Sequence, residues 1–278
     1  MKESQNRISA CLVVYNEEKK IEACLKSLQG FVDEIVVVHD GPCADSTLSI
    51  CTKYNCRIFI KNHIGDAEPH RPFALQQCQF DWVLQIDADE RLSPELQANL
   101  RTLVNNPSID AYAFNWIATI NNKKSKSLKK VVLFRKEKMY AIGLPHIIAE
   151  TRGVLKYIDF DLTHDTSEFD SPTNLLRKYI TKDRKWGIVS ASLLWGPIEN
   201  ISVFKCTFPS SETKQSTKLM LMRNHPLIAL CIVPLYSFLY GYIRQGGFRY
   251  GYLGFVLSCH TPLHAFYTCY FLLKRKFV

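Results

Sequence analysis

The sequence predicts an α/β protein with a mostly parallel sheet, followed by an apolar helical segment at the carboxyl end. Strand-like apolar runs alternate with amphipathic helical patterns across residues 1–105, and short polar loops separate them. The carboxyl-terminal residues are instead rich in aliphatic and aromatic side chains. A chain of 278 residues suits one large domain with an appendage. We predict a main domain over 1–220, with halves 1–105 and 106–220, and a helical segment over 221–278.

The first half contains four predicted strands. Ile8–Val14 is an almost unbroken apolar run, which is typical of a strand buried on both faces of a parallel sheet. Apolar residues at helical spacing from Ile21 to Leu28 predict the first helix, and Gly30 ends it. The other predicted strands are Glu34–Val38, Arg57–Ile60 and Trp82–Ile86, and the other predicted helices are Thr47–Tyr54 and Pro72–Gln79.

An acidic turn follows the fourth predicted strand. Asp87 and Asp89 come directly after it, and Ser93 and Pro94 then provide the N-cap and first residue of a helix. In open parallel sheets, ligands bind beyond the carboxyl ends of the strands. Hard divalent cations bind carboxylates together with substrate phosphates. The turn therefore predicts a place where a cation and a phosphate meet, with a solvated acidic turn as the simpler alternative.

Two other predicted strands end in side chains of chemical interest. Tyr15 and Glu17 follow the first strand, and Asp40 follows the second. Acids gathered at one sheet edge repel each other, and a bound cation relieves this repulsion. Several such turns on one edge favour a ligand site.

Charge is distributed unevenly along the chain. Residues 1–120 contain 11 basic and 16 acidic residues, whereas 121–278 contain 24 and 10. The acidic part suits a metal site, and the basic part suits an anionic partner such as a membrane surface, a phosphorylated lipid or a nucleic acid. Ten cysteines without a CxxC pair, and a polar amino terminus, predict reduced thiols in a cytoplasmic protein.

Four ordered motifs resemble those of family 2 glycosyltransferases, which have the GT-A fold, a Rossmann-like, mostly parallel sheet flanked by helices. They are VVYNEE (Val13–Glu18), VVVHDGPCADST (Val36–Thr47), HRPFALQQC (His70–Cys78) and WVLQIDADE (Trp82–Glu90). Within the family, the chain looks most like small bacterial enzymes that add glucose or a related sugar to the lipopolysaccharide core or other cell-envelope glycans. Residues 1–105 would then form the nucleotide-sugar half and 106–220 the acceptor half.

The resemblance implies roles for the matching residues. Val14, Tyr15 and Glu17 would bind the nucleotide, and Asp40 would accept a hydrogen bond from a uracil imide. Arg71 would contact the diphosphate and help orient the acids. Asp87 would bind the ribose or sugar, and Asp89, together with Asp87, would coordinate Mg²⁺ or Mn²⁺. Two departures leave the base and the sugar open. The second motif usually ends in two acids followed by Gly-Ser, whereas here it reads His39-Asp40-Gly41-Pro42. Pro72 follows Arg71 where the family usually has Asn.

The middle of the sequence contains candidates for a general base. An inverting transferase needs a carboxylate that takes the proton of the acceptor hydroxyl. The subgroup often carries an adjacent His-Glu pair, whereas here His146 and Glu150 are four residues apart. We favour Glu150, and Asp159, Asp161 and Asp165 compete with it. His164 is either a second metal ligand or a structural histidine.

Between these motifs, Asp110–Thr119 and Val131–Phe134 are predicted strands. The basic stretch Asn121–Lys130 is predicted as a loop, either a surface loop or a flap near an anionic acceptor. Asn174–Trp186 is predicted as a basic helix that lies on an acidic membrane surface or packs on the domain.

The carboxyl end contains two apolar segments, Leu227–Ile243 and Tyr252–Leu273, joined by a glycine-rich turn. The first is short for a spanning helix, and the second contains His260 and His264. Aromatic and basic residues near the segment ends favour helices in the headgroup layer, hence an aromatic-rich, membrane-associating appendage. A membrane hairpin and a soluble core or oligomer contact remain alternatives.

Together these observations predict an inverting, metal-dependent glycosyltransferase on the inner face of the cytoplasmic membrane. It would move a sugar from a nucleotide-diphosphate donor, UDP-hexose being favoured, to a lipopolysaccharide-core or other lipid-linked glycan. A nucleotidyltransferase acting on sugar phosphates is one alternative, but Tyr15-Asn16-Glu17-Glu18 lacks the glycines of a phosphate loop. A basic binding module is another. We expect no nucleic-acid partner, because the basic and aromatic residues of the tail follow hydrophobic helices rather than a polar groove.

Overall fold

The computed structural model describes residues 6–120, 123–147, 149–165, 172–206 and 214–276. Its strands are β1 (Ile8–Val14), β2 (Glu34–Asp40), β3 (Arg57–Lys61), β4 (Trp82–Gln85), β5 (Glu90–Leu92), β6 (Ala111–Ile120), β7 (Lys123–Arg135), β8 (Met139–Ile142), β9 (Glu150–Thr151), β10 (Leu155–His164) and β11 (Val203–Phe204). Its α-helices are α1 (Ile21–Leu28), α2 (Thr47–Lys53), α3 (Arg71–Gln77), α4 (Pro94–Val104), α5 (Pro172–Trp195), α6 (Lys214–Asn224), α7 (Pro226–Leu239) and α8 (Gly251–Lys276).

Eight strands form one mixed sheet in the order β3-β2-β1-β4-β7-β6-β10-β5. The first four are parallel neighbours, as the alternating pattern predicts. β7 runs antiparallel between β4 and β6, β10 is parallel to β6, and β5 is antiparallel to β10 at the edge. A separate three-stranded sheet has the order β11-β8-β9. The α/β class and the parallel sheet of the first half are confirmed.

The alternation of side chains along β1 explains why both faces of the sheet are covered. All seven of its residues are buried. Ile8 and Leu12 pack in one core with α1 and α4, while Cys11 and Val13 pack in a second core with α3. Because successive side chains of a strand point to opposite faces, one apolar run supports two layers of helices.

The prediction of a loop at 121–130 is wrong for the residues that the structure describes. β7 begins at Lys123 and pairs with β6 over most of its length. Two basic residues in the middle of β7, Lys129 and Lys130, have hydrogen-bond partners that a sequence pattern alone does not indicate. Lys129 donates to Asn115 Oδ1 and Lys130 donates to two carboxylates. Residues 121 and 122 lie outside the described residues.

The carboxyl-terminal helices pack on the rest of the chain through their own core. Leu194 of α5, Ala229 of α7 and Leu272 of α8 share this core with Ile142 of β8. α5, which contains the predicted helix Asn174–Trp186, also packs closely along α8. A Cβ at Gly187 would lie 2.5 Å from Tyr267 Cβ, so only glycine permits this approach. The predicted domain boundary near residue 220 falls inside α6 and stays a prediction.

One face of α7 is apolar and exposed. Within the described residues, one helical stretch, Pro226–Arg244, has the length and composition to cross a membrane, and 17% of its most apolar window is buried. A helix in the core of a soluble protein would be mostly buried, so the exposed fraction of this stretch is unusually large. The exposed apolar side chains at helical spacing are Ile228, Ile232, Leu235 and Leu239.

Candidate active site

The carboxyl ends of β1, β2 and β4 meet at one edge of the sheet, as their parallel pairing requires. Val14 is buried at the end of β1, so its side chain belongs to the core. Tyr15 is 46% exposed, and its ring centroid lies 4.5 Å from that of His63. Glu17 begins the turn into α1, and its backbone N–H donates to Thr47 Oγ1 at 2.7 Å. The first predicted motif therefore forms one wall of an open edge.

Asp40 is a buried anchor for the loop that carries His63. Its carboxylate accepts hydrogen bonds from the N–H groups of Ile64, at 2.6 Å, and Gly65, at 2.8 Å. His70 Nε2 lies 2.8 Å from Oδ1, and the side chain is 3% exposed. These contacts occupy both oxygens. The predicted hydrogen bond from a uracil imide stays a prediction, and the contacts observed make Asp40 a positioning residue.

The glycine after Asp40 is required by geometry. Gly41 has φ +94°, in the region that favours glycine. A Cβ at this position would lie 2.7 Å from His63 Cβ. Gly41 thus leaves room for the side chain of His63, whose ring lies next to Tyr15.

Arg71 and Lys130 flank Asp87. Arg71 donates to Asp87 Oδ1 at 2.9 Å, and Lys130 donates to Oδ2 at 2.8 Å. Burial raises the pKa of Asp87, but the charges of Arg71 and Lys130 outweigh it and hold this pKa well below its usual value. The predicted partnership of Arg71 with the acidic turn is thus present, and Asp87 is ionised.

A buried glutamate completes this cluster. Glu90 is 1% exposed and accepts hydrogen bonds from Lys130 at 2.6 Å and Trp116 Nε1 at 2.7 Å. Its other oxygen accepts from the N–H of Asp87 at 2.9 Å, which fixes the turn. Burial raises the pKa of Glu90, and the positive charge of Lys130 opposes this only in part. Sequence reasoning missed both Lys130 and Glu90 as site residues.

One guanidinium nitrogen of Arg71 remains available. Nη1 is buried and has no hydrogen-bond partner among the described residues, while Nη2 binds Asp87. A buried donor without a partner costs free energy unless a ligand satisfies it. Arginine binds phosphate oxygens in bidentate fashion, so this nitrogen fits an anionic ligand at the sheet edge.

Asp89 and His164 lie side by side next to this cluster. Asp89 Oδ2 and His164 Nε2 are 3.1 Å apart, and the His164 ring stacks on Trp116 with a centroid distance of 4.4 Å. Burial raises the pKa of Asp89, but the hydrogen bond from His164 outweighs this and leaves the pKa lowered. Asp165 donates its backbone N–H to the carbonyl of Asp89 at 2.7 Å.

This pair fits a divalent cation. Two adjacent ligands about 2.1 Å from an octahedral ion lie about 3 Å from each other, which matches the spacing of Asp89 Oδ2 and His164 Nε2. Asp87 instead forms ion pairs with the side chains of Arg71 and Lys130. Of the three predicted ligands, Asp89 and His164 are therefore the two that face each other.

The predicted base candidates lie in different places. Glu150 is on β9, opposite Tyr140 in the small sheet. Asp159 and Asp161 both accept hydrogen bonds from Asn115 Nδ2, at 2.7 and 2.9 Å. Asp165 adjoins Asp89 through its backbone. Glu150 thus lies in the small sheet, and its role as the base stays a prediction.

His146 belongs to another cluster. Its Nε2 lies 3.3 Å from Asp183 Oδ1 in α5, and its ring lies 4.5 Å from that of His260 in α8. The backbone at His146 has φ +60°, which is unusual for a residue other than glycine. His146 therefore faces the helices, and the four-residue spacing from Glu150 does not recreate a His-Glu pair around one site.

The mixed sheet and the acidic turn at its carboxyl edge define an α/β enzyme of the glycosyltransferase class. Residues 9–166 match the family model described as glycosyl transferase family 2. The chain belongs to this family and is a glycosyltransferase. The resemblance carried by the four motifs is confirmed.

Similar proteins cover the chain to different extents. A protein of Rickettsia bellii described as an uncharacterized glycosyltransferase is 26% identical over 258 residues, 91% of this chain and 81% of its own length. A Rhizobium meliloti lipopolysaccharide core biosynthesis glycosyltransferase, LpsC, is 34% identical over 102 residues, 35% of this chain and 37% of its own. The S. aureus TarS structure in complex with UDP-GlcNAc has 15% identity and a TM-score of 0.47, covering 94% of this chain and 91% of that one.

Proposed function

We propose that the protein transfers a sugar from a nucleotide-diphosphate donor, with UDP-hexose favoured, to a lipopolysaccharide-core or other lipid-linked glycan, with inversion and with the help of a divalent cation. The single observation that carries this proposal is the juxtaposition of two units at one sheet edge. One is Asp87 held by Arg71 and Lys130, and the other is Asp89 beside His164.

The first unit suits the diphosphate. Arg71 and Lys130 bring two positive charges next to Asp87 and Glu90, and Arg71 Nη1 has no partner among the described residues. A polyanionic leaving group would find here a donor that is already oriented and desolvated. Preorganised donors of this kind stabilise charge that develops in the transition state. Asp87 remains free to accept from a ribose or sugar hydroxyl only along directions that Arg71 and Lys130 leave open.

The second unit suits Mg²⁺ or Mn²⁺. Asp89 and His164 would hold the ion from the protein side, and Trp116 would keep the His164 ring in place by stacking. A bound divalent cation neutralises negative charge on the departing diphosphate. Manganese accepts imidazole nitrogen more readily than magnesium does, so the His164 ligand favours Mn²⁺.

The base of the nucleotide has a natural place beside Tyr15. The exposed Tyr15 ring and the His63 ring form an aromatic wall, and Asp40 holds the loop of His63 from beneath. Aromatic faces stack on bases with little sequence preference. This arrangement supports nucleotide binding. Stacking does not distinguish one base from another, so hydrogen bonds near the two rings would select the base.

The acceptor would be presented at a membrane surface. The exposed apolar face of α7 continues through Tyr240 and Ile243, and Arg244 and Arg249 flank it. Amphipathic helices with aromatic and basic residues lie in the headgroup layer of anionic membranes. A lipid-linked glycan on the cytoplasmic leaflet would then reach the active site by diffusing within the plane of the membrane.

The test is a donor screen by isothermal titration calorimetry with UDP, GDP, ADP and dTDP sugars in the presence of Mn²⁺. We expect heat of binding with a UDP sugar, and at least about tenfold weaker binding in Asp89→Asn with Mn²⁺ present, because one metal ligand is weakened. Transfer to detergent-solubilised glycolipid should fall with it. Wild-type turnover by D89N in the presence of EDTA would refute the role of the metal.

A further inference from the structure

A second cluster of metal-ligating side chains lies away from the sheet edge. His146 follows β8, Asp183 is in α5, and His260 is in α8. One ligand atom from each lies within 4.8 Å of the others, the one such group among the residues that the structure describes. The glycosyltransferase site uses none of these three side chains.

Asp183 is the unusual member of the group. Its side chain is 0% exposed, and in the described part of the chain its ion-pair partners are His146 and His260 rather than a lysine or arginine. The nearest lysine in sequence, Lys182, places its ammonium 4.2 Å from the centroid of the Trp186 ring instead. Buried charges are normally paired or coordinate a metal. A fully buried carboxylate therefore lacks a permanent positive partner.

The two histidines approach this carboxylate through ring nitrogens, and His260 Nδ1 lies 2.9 Å from Asp183 Oδ2. His146 Nε2 and Asp183 Oδ1 face each other at 3.3 Å, yet each is a buried atom without a hydrogen bond in the described structure. A neutral imidazole with an unused ring nitrogen is the form that binds metals.

The geometry points to a transition-metal site at His146, Asp183 and His260, and we propose that it binds Zn²⁺. Ligands about 2.0–2.1 Å from a tetrahedral zinc ion lie about 3.3 Å from each other. The observed separations are 3.3 Å for His146 Nε2 to Asp183 Oδ1 and 2.9 Å for His260 Nδ1 to the same oxygen. All three donor atoms lie within 4.8 Å of one another, so rotation of the side chains brings them to zinc distance.

The surroundings hold the ligands in place. The His260 ring stacks on Tyr179 with a centroid distance of 4.3 Å, and the His146 ring packs edge-on against Trp186 at 4.8 Å. His264 is not a ligand, because its Nε2 bonds with Ser190 Oγ at 2.9 Å. Outer-shell contacts of this kind fix ring orientation at metal sites.

The fourth coordination position has access to solvent. A cavity of about 290 Å³ borders His146 and is lined on other sides by Tyr236 of α7, by Tyr240 directly after α7 and by Ser258 of α8. Water from this cavity completes a tetrahedral set of two nitrogens and one carboxylate oxygen. The three ligands come from the segment after β8, from α5 and from α8. A bound ion therefore links these two helices to the segment that follows β8.

The experiment uses the full chain without a histidine tag, loaded with ZnCl₂ and desalted into metal-free buffer before metal analysis. We expect about one zinc ion per chain in the wild type, and less than about a tenth of that in His260→Gln and Asp183→Asn. His225→Gln removes an exposed histidine of the same helical unit and should retain zinc. Asp89→Asn should also retain it, which separates this site from the donor site.

Thermal melting gives a second readout. Zn²⁺ should raise the Tm of the wild type and of H225Q, and should leave that of H260Q unchanged. If H260Q does not fold, Co²⁺ is added to the wild type and to D89N instead. Both proteins should then show the visible absorption of tetrahedral cobalt, and its absence from both would overturn the proposal. Wild-type protein that retains no zinc after desalting, or H260Q that retains as much as the wild type, would overturn the proposal.

Discussion

Lys130 Nζ lies 2.8 Å from Asp87 Oδ2 and joins the acidic turn after β4 to the middle of β7. The same ammonium lies 2.6 Å from the buried Glu90. One basic residue from the second half of the chain thus neutralises two acids of the first half. The electrostatics of the site therefore depend on the pairing of β4 with β7.

Replacing Lys130 by methionine tests this relationship. Lys130→Met keeps the length of the side chain but leaves Glu90 buried with only Trp116 as a side-chain donor. Removing one partner of a buried ion pair costs about 3 kcal/mol, so we expect the free energy of unfolding in urea to fall by about that amount. Donor affinity should fall at least about tenfold because a positive charge beside the diphosphate is lost.

The matched control is Lys129→Met. Lys129 is exposed and donates to Asn115 Oδ1. Its loss should change the free energy of unfolding by less than about 1 kcal/mol. Equal effects of the two substitutions on stability and donor affinity would mean that the charge of Lys130 has no special role.

The acid sensitivity of the fold follows from Asp87. The charges of Arg71 and Lys130 hold the folded-state pKa of Asp87 below its ordinary value of 3.8. A depressed carboxyl pKa adds stability that is present above the unfolded-state value and is lost as pH falls through the folded-state value. The free energy of unfolding of the wild type, measured in urea, should therefore fall below about pH 5. In Asp87→Asn this decrease with falling pH should be smaller.

Asp81→Asn is the control for that experiment, because Asp81 is an exposed carboxylate next to the same strand. It should keep the wild-type slope of stability against pH. Glu90 acts in the opposite direction, since burial raises its pKa and favours the protonated form on folding. A slope in D87N as steep as that of the wild type would contradict the assignment of the acid sensitivity to Asp87.

The sequence predicted the parallel half of the fold because its signals are local. The apolar run of β1, the stripe of α1 and the Ser93-Pro94 helix start each lie within a few residues, and Ser93 Oγ does accept from the N–H of Leu96. The sequence predicts Asp89 as a metal ligand and leaves His164 as either a second ligand or a structural histidine. Their 3.1 Å separation rests on β10 pairing with β5 and β6, which no local pattern encodes.

The basic stretch before Val131 shows the limit of this reasoning. Lysines in series have low strand propensity and read as a loop. In the structure Lys130 reaches Asp87, which lies 43 positions earlier in the chain, and Lys129 reaches Asn115 on the neighbouring strand. These pairings join residues of different strands, so no local sequence pattern indicates them. The sequence assigns no role to His146 for a similar reason, since its neighbours Asp183 and His260 lie on α5 and α8.

Glu150 and Asp165 can be separated as general base by isosteric substitution. Glu150→Gln removes a proton acceptor at β9, and Asp165→Asn does the same beside Asp89. We expect E150Q to lower kcat by about 10²–10⁴-fold with little change in donor affinity, because general bases contribute that range. D165N should keep kcat within a few fold. The reverse pattern in single-turnover assays would assign the base to Asp165.

The exposed face of α7 predicts membrane binding that depends on apolar contact. Ile232 and Leu235 are 53% and 60% exposed. Burying one such side chain in lipid is worth about 1.5–3 kcal/mol, so the double variant I232D/L235D should reduce the fraction that floats with anionic vesicles by at least about tenfold. Zwitterionic vesicles should bind the wild type less well, because Arg244 and Arg249 border the face.

The control for this prediction is Ile60→Asp, which places a charge at an equally exposed apolar residue of β3. It should float as the wild type does, because Ile60 is on β3 and is not part of the apolar face of α7. Circular dichroism must show that I232D/L235D keeps its helices. If the folded double variant floats as well as the wild type, α7 does not bind the bilayer, and its apolar face must be covered by protein instead. Sedimentation equilibrium of the wild type would then show an oligomer that I232D/L235D disrupts.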